Sequence, residues 1–339
     1  MIAINPISRE TQCYENGKWA KLHKFPRVPF REAFHNHQLV VADNELYLGG
    51  GSHEVAVMVD RPMEATLHLD HFYRYDRLRN EWMQLRSMLA KRSCCAMVHL
   101  KEHIYAIGGQ GGLSCRWQSN VERYSLVTGE WEVVPYLPAM LQSPSVVAYK
   151  DHLLVYGVLG SGMGFVHGWL VAYDPQSTRW TVLLTELLQG PNSRHIVNDF
   201  WPVLVVDNRE CYRVRYVNKV AQVNRLTLQL HDTDVSSGTL CSLHNPADQT
   251  KVCVYPDVGP FCINNRVFVN LPGYVHRLDA TMEVEAYNGS SPEEDCWDMI
   301  TWQKINDNDS DMTCVKFTFD KYFLVDDDDD DDDDTSESL

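Results

Sequence analysis

Histidine and cysteine are the residues here best suited to hold a metal or attack a substrate, and the chain has fourteen of the first and ten of the second. His35-x-His37, His68-x-x-His71 and His99 with His103 are the close histidine groupings. On a strand, His35 and His37 share one face and could touch a single ion, but a metal site needs further ligands and no third stands at a legible spacing. They are therefore read as surface or loop residues. Cys94 and Cys95 are adjacent, so a strand sends them to opposite faces; they read as small apolar core fillers. No C-x-x-C occurs, and the thiols are expected to be reduced, in the cytosol or nucleus. "GGQGG" (108–112) is not followed by a helix with Lys-Ser/Thr, so it is no phosphate loop, and no G-x-S-x-G elbow is present. No catalytic residue, cofactor or metal is assigned, and the chain is expected not to be an enzyme.

Charge points the same way. Asp326 to Asp334 and Glu337 carry ten of the acidic charges behind a formal net charge of −16, leaving −6 for residues 1 to 325. A mildly acidic body lacks the basic face that phosphate backbones require, so no nucleic-acid partner is expected. Residues 326–339 are expected to be a disordered acidic tail, because like charges repel and nothing apolar is available to bury. At 44% hydrophobic residues the composition is that of a folded protein. No apolar run has bilayer-spanning length, and residues 1 to 30 lack the layout of a secretion signal. The expectation is a soluble protein with no membrane partner, cytoplasmic and also nuclear.

The elements that could position a binding surface repeat. "ELYLGGG" (45–51) leads to "YRYDRLRNEW" (73–82), "IYAIGG" (104–109) to "ERYSLVTGEW" (122–131), and "LLVYGVLG" (153–160) to "VAYDPQSTRW" (171–180). In each copy a tyrosine precedes a tryptophan by seven residues: Tyr75 and Trp82, Tyr124 and Trp131, Tyr173 and Trp180. Successive tryptophans stand 49 residues apart. A period near fifty with this punctuation resembles the kelch repeat, in which each unit is one four-stranded propeller blade. Strand one alternates ("SCCAMVHL", 93–100), and strand two ends on glycines that let the backbone turn and leave room for a neighbouring aromatic. Strand three carries the tyrosine, a tight turn follows, and strand four opens with the tryptophan.

Elsewhere the pattern thins. "CYENGKWAKL" (13–22) reads as strands three and four of a blade whose second strand Met1 to Glu10 could supply, and "MTCVKFTFDKYFLV" (312–325) as its first strand, or its first running into its second. Pairing the last strand with the first blade closes a ring without a bare sheet edge. Residues 191–245 and 246–311 read as two degenerate units. The expectation is thus an all-β, six-bladed propeller over 1–325, with five or seven blades as the alternatives and blades near 1–29 plus 312–325, 30–88, 89–138, 139–190, 191–245 and 246–311.

These residues together resemble the propeller of the BTB-BACK-kelch family, across about residues 1 to 325 and most specifically in 30 to 186. The chain begins inside a blade and shows no BTB or BACK region. The resemblance implies capture of a protein target, as substrate adaptors of cullin-RING ubiquitin ligases do, with ligase recruitment requiring an upstream BTB region. It implies, as alternatives, a scaffold for cytoskeletal or sarcomeric proteins and, more remotely, a metal enzyme. By the same resemblance Arg31, Arg92, Ser143 and Arg194 lie near positions that line a central pocket, which would be locally basic and suited to an acidic peptide. Arg116 and Trp117, in the loop 110–120, are of the types that dominate binding hot spots. The loop 51–71 is the longest of its class and is expected to be functional or disordered.

Overall fold

The computed structural model describes residues 2–4, 11–15, 18–21, 35–58, 62–76, 78–112, 115–160, 165–189, 203–207, 210–217, 220–228, 230, 241–244, 261–263, 266–271, 281–288, 297–303 and 313–315. Among these residues every regular element is a β-strand, and all strand pairing is antiparallel. Arg31, Arg194 and the acidic tail lie outside the described residues.

The 96–134 sheet shows how one unit forms. Its strands, Ala96–Leu100, His103–Ile107, Val121–Ser125 and Trp131–Val134, lie side by side in chain order. The 142–189 and 203–244 sheets have the same order, as does the 261–303 sheet. The 35–84 sheet follows it with one added strand. In the remaining sheet Thr313–Val315 pairs with Ile2–Ile4, which continues into Thr11–Glu15 and Lys18–Lys21.

Local chemistry sets the turns. Between third and fourth strands, Asp76 Oδ1 accepts from the Leu78 amide at 2.9 Å, Ser125 Oγ from Thr128 at 3.1 Å, and Asp174 Oδ1 from Gln176 at 2.9 Å. Such side-chain acceptors hold the chain in a turn. Each turn ends on a left-handed residue at the same point of the repeat, Asn80, Gly129 and Thr178, with φ of 53°, 71° and 55°. The hairpin so formed puts tyrosine directly opposite tryptophan in all three copies. Their ring centroids lie 5.6, 5.3 and 4.9 Å apart. The seven-residue offset is therefore a cross-strand pair.

The 96–134 and 142–189 sheets each bury both faces. Along the second strand, Ile104 and Ala106 pack toward Tyr47, Phe72 and Met97, whereas Tyr105 and Ile107 pack toward Leu153, Val155 and Tyr173. One strand further on, Leu154 and Tyr156 turn to Leu204, Cys211 and Leu226 of the 203–244 sheet. This is why second strands read as unbroken apolar runs rather than alternating ones. Indole nitrogens stitch neighbours together: Trp131 Nε1 donates to Arg86 O at 2.9 Å and Trp180 Nε1 to Pro135 O at 2.8 Å. Those acceptors stand one repeat apart. First strands pack in succession, His35–Ala42 against Ala96–Leu100, then Gln142–Tyr149, Val203–Asp207 and Phe261–Ile263, while Thr313–Val315 packs against His35–Ala42.

The glycine doublets turn the backbone as expected, with φ of 67° and 106° at Gly50 and Gly51 and of 59° and 93° at Gly108 and Gly109, but an aromatic is not what chiefly fills the space they leave. A Cβ on Gly109, which sits at φ 93°, would lie 2.6 Å from Ser93 O and 2.8 Å from Cys95 Cβ. One on Gly50 would lie 2.7 Å from Arg92 O. Backbone entering the next strand fills most of the space at Gly50 and Gly109, whereas Gly49 makes room for Met97 and then for the Phe72 ring.

Candidate functional site

The segments that link fourth strands to first strands meet those that link second strands to third, along one rim of the sheets. Ser93 and Gln110 exchange both backbone hydrogen bonds, at 3.0 and 2.7 Å. Arg92 N donates to Leu69 O of the preceding sheet at 2.9 Å, and Gly51 N to Arg92 O at 2.9 Å. The rim backbone is thereby tied to two sheets at once.

Between residues 109 and 118 the rim carries a short ribbon in which Gln110–Gly111 pairs with Arg116–Trp117. Gln118 closes it, donating its amide to Gly109 O at 2.8 Å and its side chain to Lys91 O at 3.2 Å. Arg116 and Lys91 are exposed and Trp117 is half-buried. A cation and an indole on a held backbone can recognise a carboxylate beside an apolar group. Ser143 lies half-buried on the next sheet's edge of this rim, at φ 43° in a bulge between Gln142 and Ser145. Cys94, one repeat earlier, has the same left-handed turn at φ 49°.

Arg92 is not a pocket residue of this rim. Its side chain is 0% exposed and forms a buried ion pair with Glu122, itself 2% exposed. Nη2 donates to Glu122 Oε1 at 2.5 Å, and Nη1 donates to Gly108 O at 2.7 Å and Asn120 O at 3.3 Å. Glu122 also accepts from the amides of Leu89, at 2.6 Å, and Ala90, at 3.3 Å. The expectation of an open guanidinium fails because a carboxylate on the third strand draws it inward. Its charge is spent on holding the loop, so among the described residues the rim's positive charge comes from Lys91 and Arg116.

The loop 51–71 is also folded. Strand Glu45–Met58 runs on past its glycines and pairs with Pro62–His68 from Ser52 opposite His68 to Met58 opposite Pro62. His68 is buried, and its Nδ1 lies 2.8 Å from Ser93 Oγ. Burial lowers the pKa of His68, and burial likewise lowers that of His71. Cys95 belongs to the core, and burial pushes its thiol up to about 12; burial also raises that of Cys94. Burial outweighs the nearby Arg92 charge at Cys95, so neither thiol has the lowered pKa of a reactive thiolate.

Sequence reasoning passed over Glu122 and a second charged pair, Arg213 with Glu186, which spans the 142–189 and 203–244 sheets. Arg213 is buried with its guanidinium carbon 5.7 Å from the Tyr156 ring, and Tyr156 donates to Glu186 Oε1 at 2.6 Å. The available signal was weak: in "VERYS" Glu122 stands between Val121 and a second charge, Arg123.

Comparison with known proteins agrees with the repeat. Residues 91–138 match the Kelch motif model. The chain is 31% identical over 152 residues to Kelch repeat and BTB domain-containing protein 8 of Xenopus tropicalis, covering 43% of this chain and 22% of that protein. Against the Danio rerio protein of the same name it is 26% identical over 219 residues, 62% of this chain and 32% of the other. Against Kelch-like protein 36 of Mus musculus it is 28% identical over 171 residues, 50% of this chain and 26% of the other. The matched segments span less than a third of each relative. Motif, strand order and relatives converge: the chain contains a kelch-repeat domain of the kelch-like family.

Proposed function

We propose that this chain is a non-catalytic recognition module that captures a protein target on the rim bearing the 110–117 ribbon, and that it serves as the substrate-recognition propeller of an adaptor for a cullin-RING ubiquitin ligase. The observation that carries the reading is the ribbon itself, which offers an exposed arginine and a half-buried tryptophan on backbone fixed to two sheets. Pre-ordered backbone reduces the entropy lost on binding. Relatives whose names join kelch repeats to a BTB domain support the adaptor role. The six sheets are taken as blades of one ring, joined where Thr313–Val315 meets Ile2–Ile4. Arg116, Trp117 and Ser143 are assigned to the contact surface, with Arg31 and Arg194 as further members and an acidic peptide as the preferred target. Action in the cytoplasm and nucleus belongs to the same proposal.

The test is affinity purification from cells with the chain and its Arg116→Ala/Trp117→Ala variant. A protein retained by the first, lost by the second and stabilised when the cullin is inhibited supports the reading. Equal recovery by both forms removes the rim assignment. Enrichment of filament proteins without ligase components transfers the chain to the scaffold class.

A further inference from the structure

We propose that the outer edge of the Arg116–Trp117 strand is a strand-addition site, on which an extended, proline-free segment of the captured protein docks antiparallel and brings a carboxylate to Arg116. This deepens the rim reading and rests on it. Three strands lie in one row here, with Ser93 opposite Gln110 and Gln110 opposite Trp117. Gln110 commits both backbone groups to Ser93, donating to Ser93 O at 2.7 Å and accepting from Ser93 N at 3.0 Å. Backbone groups alternate in direction along an antiparallel ladder, so those of Trp117 point away from Gln110, to the outside of the ribbon. The neighbours agree. Gln118 N turns inward to Gly109 O at 2.8 Å, and Ser119 O turns outward, accepting from Leu137 N at 2.8 Å. Among the described residues the Trp117 amide and carbonyl have no hydrogen-bond partner. A strand edge in this state is a template for another chain.

The next repeat shows what such an edge takes. Counterparts stand 49 residues on, so Trp117 becomes Val166, Ser119 becomes Gly168 and Leu137 becomes Glu186. Gly168 pairs with Glu186 as Ser119 meets Leu137, so the two repeats coincide at that point. They part at the following residue. Leu187 goes on to pair with His167, and Gln189 with Val166, so a strand of the same chain covers that edge. The counterpart of Leu187 is Pro138, which has no amide to donate. Only residues 135–141 join Val134 to the next first strand at Gln142, whereas residues 190–202 lie between Gln189 and Val203. The fourth strand of the 96–134 sheet therefore leaves before it reaches Trp117. The place that Gln189 fills in one repeat is open in the other.

Side chains along the edge set the class of segment it accepts. Arg116 is exposed and, among the described residues, has no carboxylate partner. Lys91 is also exposed, and its carbonyl is tied to the ribbon by Gln118. Both cations favour an acid in the incoming strand. Trp117 is half-buried and Met140, just beyond Pro138, is 59% exposed, which favours apolar residues beside that acid. At the ribbon's turn a Cβ on Gly112 would meet nothing within 4 Å, so an added chain has room to run past it. In recognition of this kind main-chain bonds supply affinity and alternate side chains supply selectivity.

The experiment uses the full chain and a fluorescein-labelled peptide, acetyl-Leu-Leu-Gln-Glu-Val-Thr. Its first three residues copy Leu187–Gln189, and its glutamate falls opposite Arg116. Fluorescence anisotropy should show saturable binding. Methylating the glutamine amide, which faces Trp117, should weaken binding about tenfold or more, the loss expected for one or two backbone bonds. The same methyl on the glutamate amide, which faces away, should change little. Trp117→Pro removes the outward amide without breaking a bond of the ribbon and should abolish binding, whereas Trp117→Ala keeps the amide and should retain part of it. Circular dichroism melting checks that Trp117→Pro is folded; the methylated peptides decide the matter if it is not. No saturable binding, or binding indifferent to the glutamine methyl, overturns the proposal. Recovery of cellular targets by Arg116→Ala/Trp117→Ala tests the rim separately. Loss of recovery without any effect of the methyl keeps the rim and removes strand addition. Full recovery beside a methyl-sensitive peptide keeps the open edge but removes the rim reading, and with it the captured protein as occupant.

Discussion

Replacing Glu122 by alanine would strand the Arg92 guanidinium in the interior. Arg92 would keep Gly108 O and Asn120 O as acceptors but lose its only carboxylate, and the Leu89 and Ala90 amides would lose their acceptor. Breaking a buried ion pair from one side costs about 3–5 kcal/mol. In a domain of this size that lowers the melting temperature by roughly 2–4 °C per kcal/mol, or about 6–20 °C. Arg92→Ala should be of the same order. The control is written into the next repeat, where the same two positions hold Leu141 and Val171, both fully buried. Arg92→Leu with Glu122→Val copies that solution. It removes both charges together, leaving only the four backbone groups to be re-satisfied at about 1 kcal/mol each. The double variant should therefore melt above the sum of the two single losses, with a coupling energy of about 1–3 kcal/mol. Urea unfolding followed by tryptophan fluorescence measures all four species. Single variants that unfold with wild type would return Arg92 to solvent, and strict additivity would deny the pair.

Trp131→Ala should destabilise by about 3–5 kcal/mol through loss of a buried aromatic, whereas Trp131→Phe, which forfeits the bond to Arg86 O, should cost less; calorimetry ranks them. Gly109→Ala should destabilise by about 1–3 kcal/mol, since φ is 93° and the new methyl meets Ser93 O at 2.6 Å; equal melting would contradict that approach. His68, His71 and His103 all have pKa values lowered by burial from an ordinary 6.5. Between the folded and unfolded values the unfolded chain binds more protons, so stability rises with pH through that window and falls as pH drops below about 6.5. Melting temperatures from pH 7.5 down to 5 should show that slope, shallower in His71→Gln. For the rim, Arg116→Ala should weaken target capture with no change in melting; a matched loss of stability would make it structural.

What could be read from the sequence was what the chain settles locally. Tyr124 and Trp131 face one another because a tight turn of fixed length joins them, so their spacing alone encoded the contact. The glycine doublets announced a crowded place, but not its occupant: Ser93 O and Cys95 reach Gly109 from a segment that only sheet packing brings there. The described strands between 203 and 303 form without doublets or regular tryptophans, because alternation and β-branched residues suffice to pair a strand whose neighbours hold it. The long segment 51–71 was read as a loop because its paired half lies beyond the glycines, where the repeat no longer punctuates the chain.

The site was harder to read for a reason the repeat makes explicit. Copies share a backbone and differ in the side chains that fill equivalent positions. Arg92 with Glu122 at one junction becomes Leu141 with Val171 at the next, and Arg213 with Glu186 again places charge at the boundary beyond. An arginine in such a register becomes an internal clamp when the third strand carries a carboxylate thirty residues away. Only the second residue decides. The rim beside Arg92 is therefore held by a neutralised pair, and the charge left for recognition falls to Lys91 and Arg116, which have backbone support and stay exposed. Specificity in this domain should follow the ribbon, and grafting residues 110–117 onto a related propeller should carry target preference with it; a graft that folds yet keeps its host's preference would place recognition on another blade.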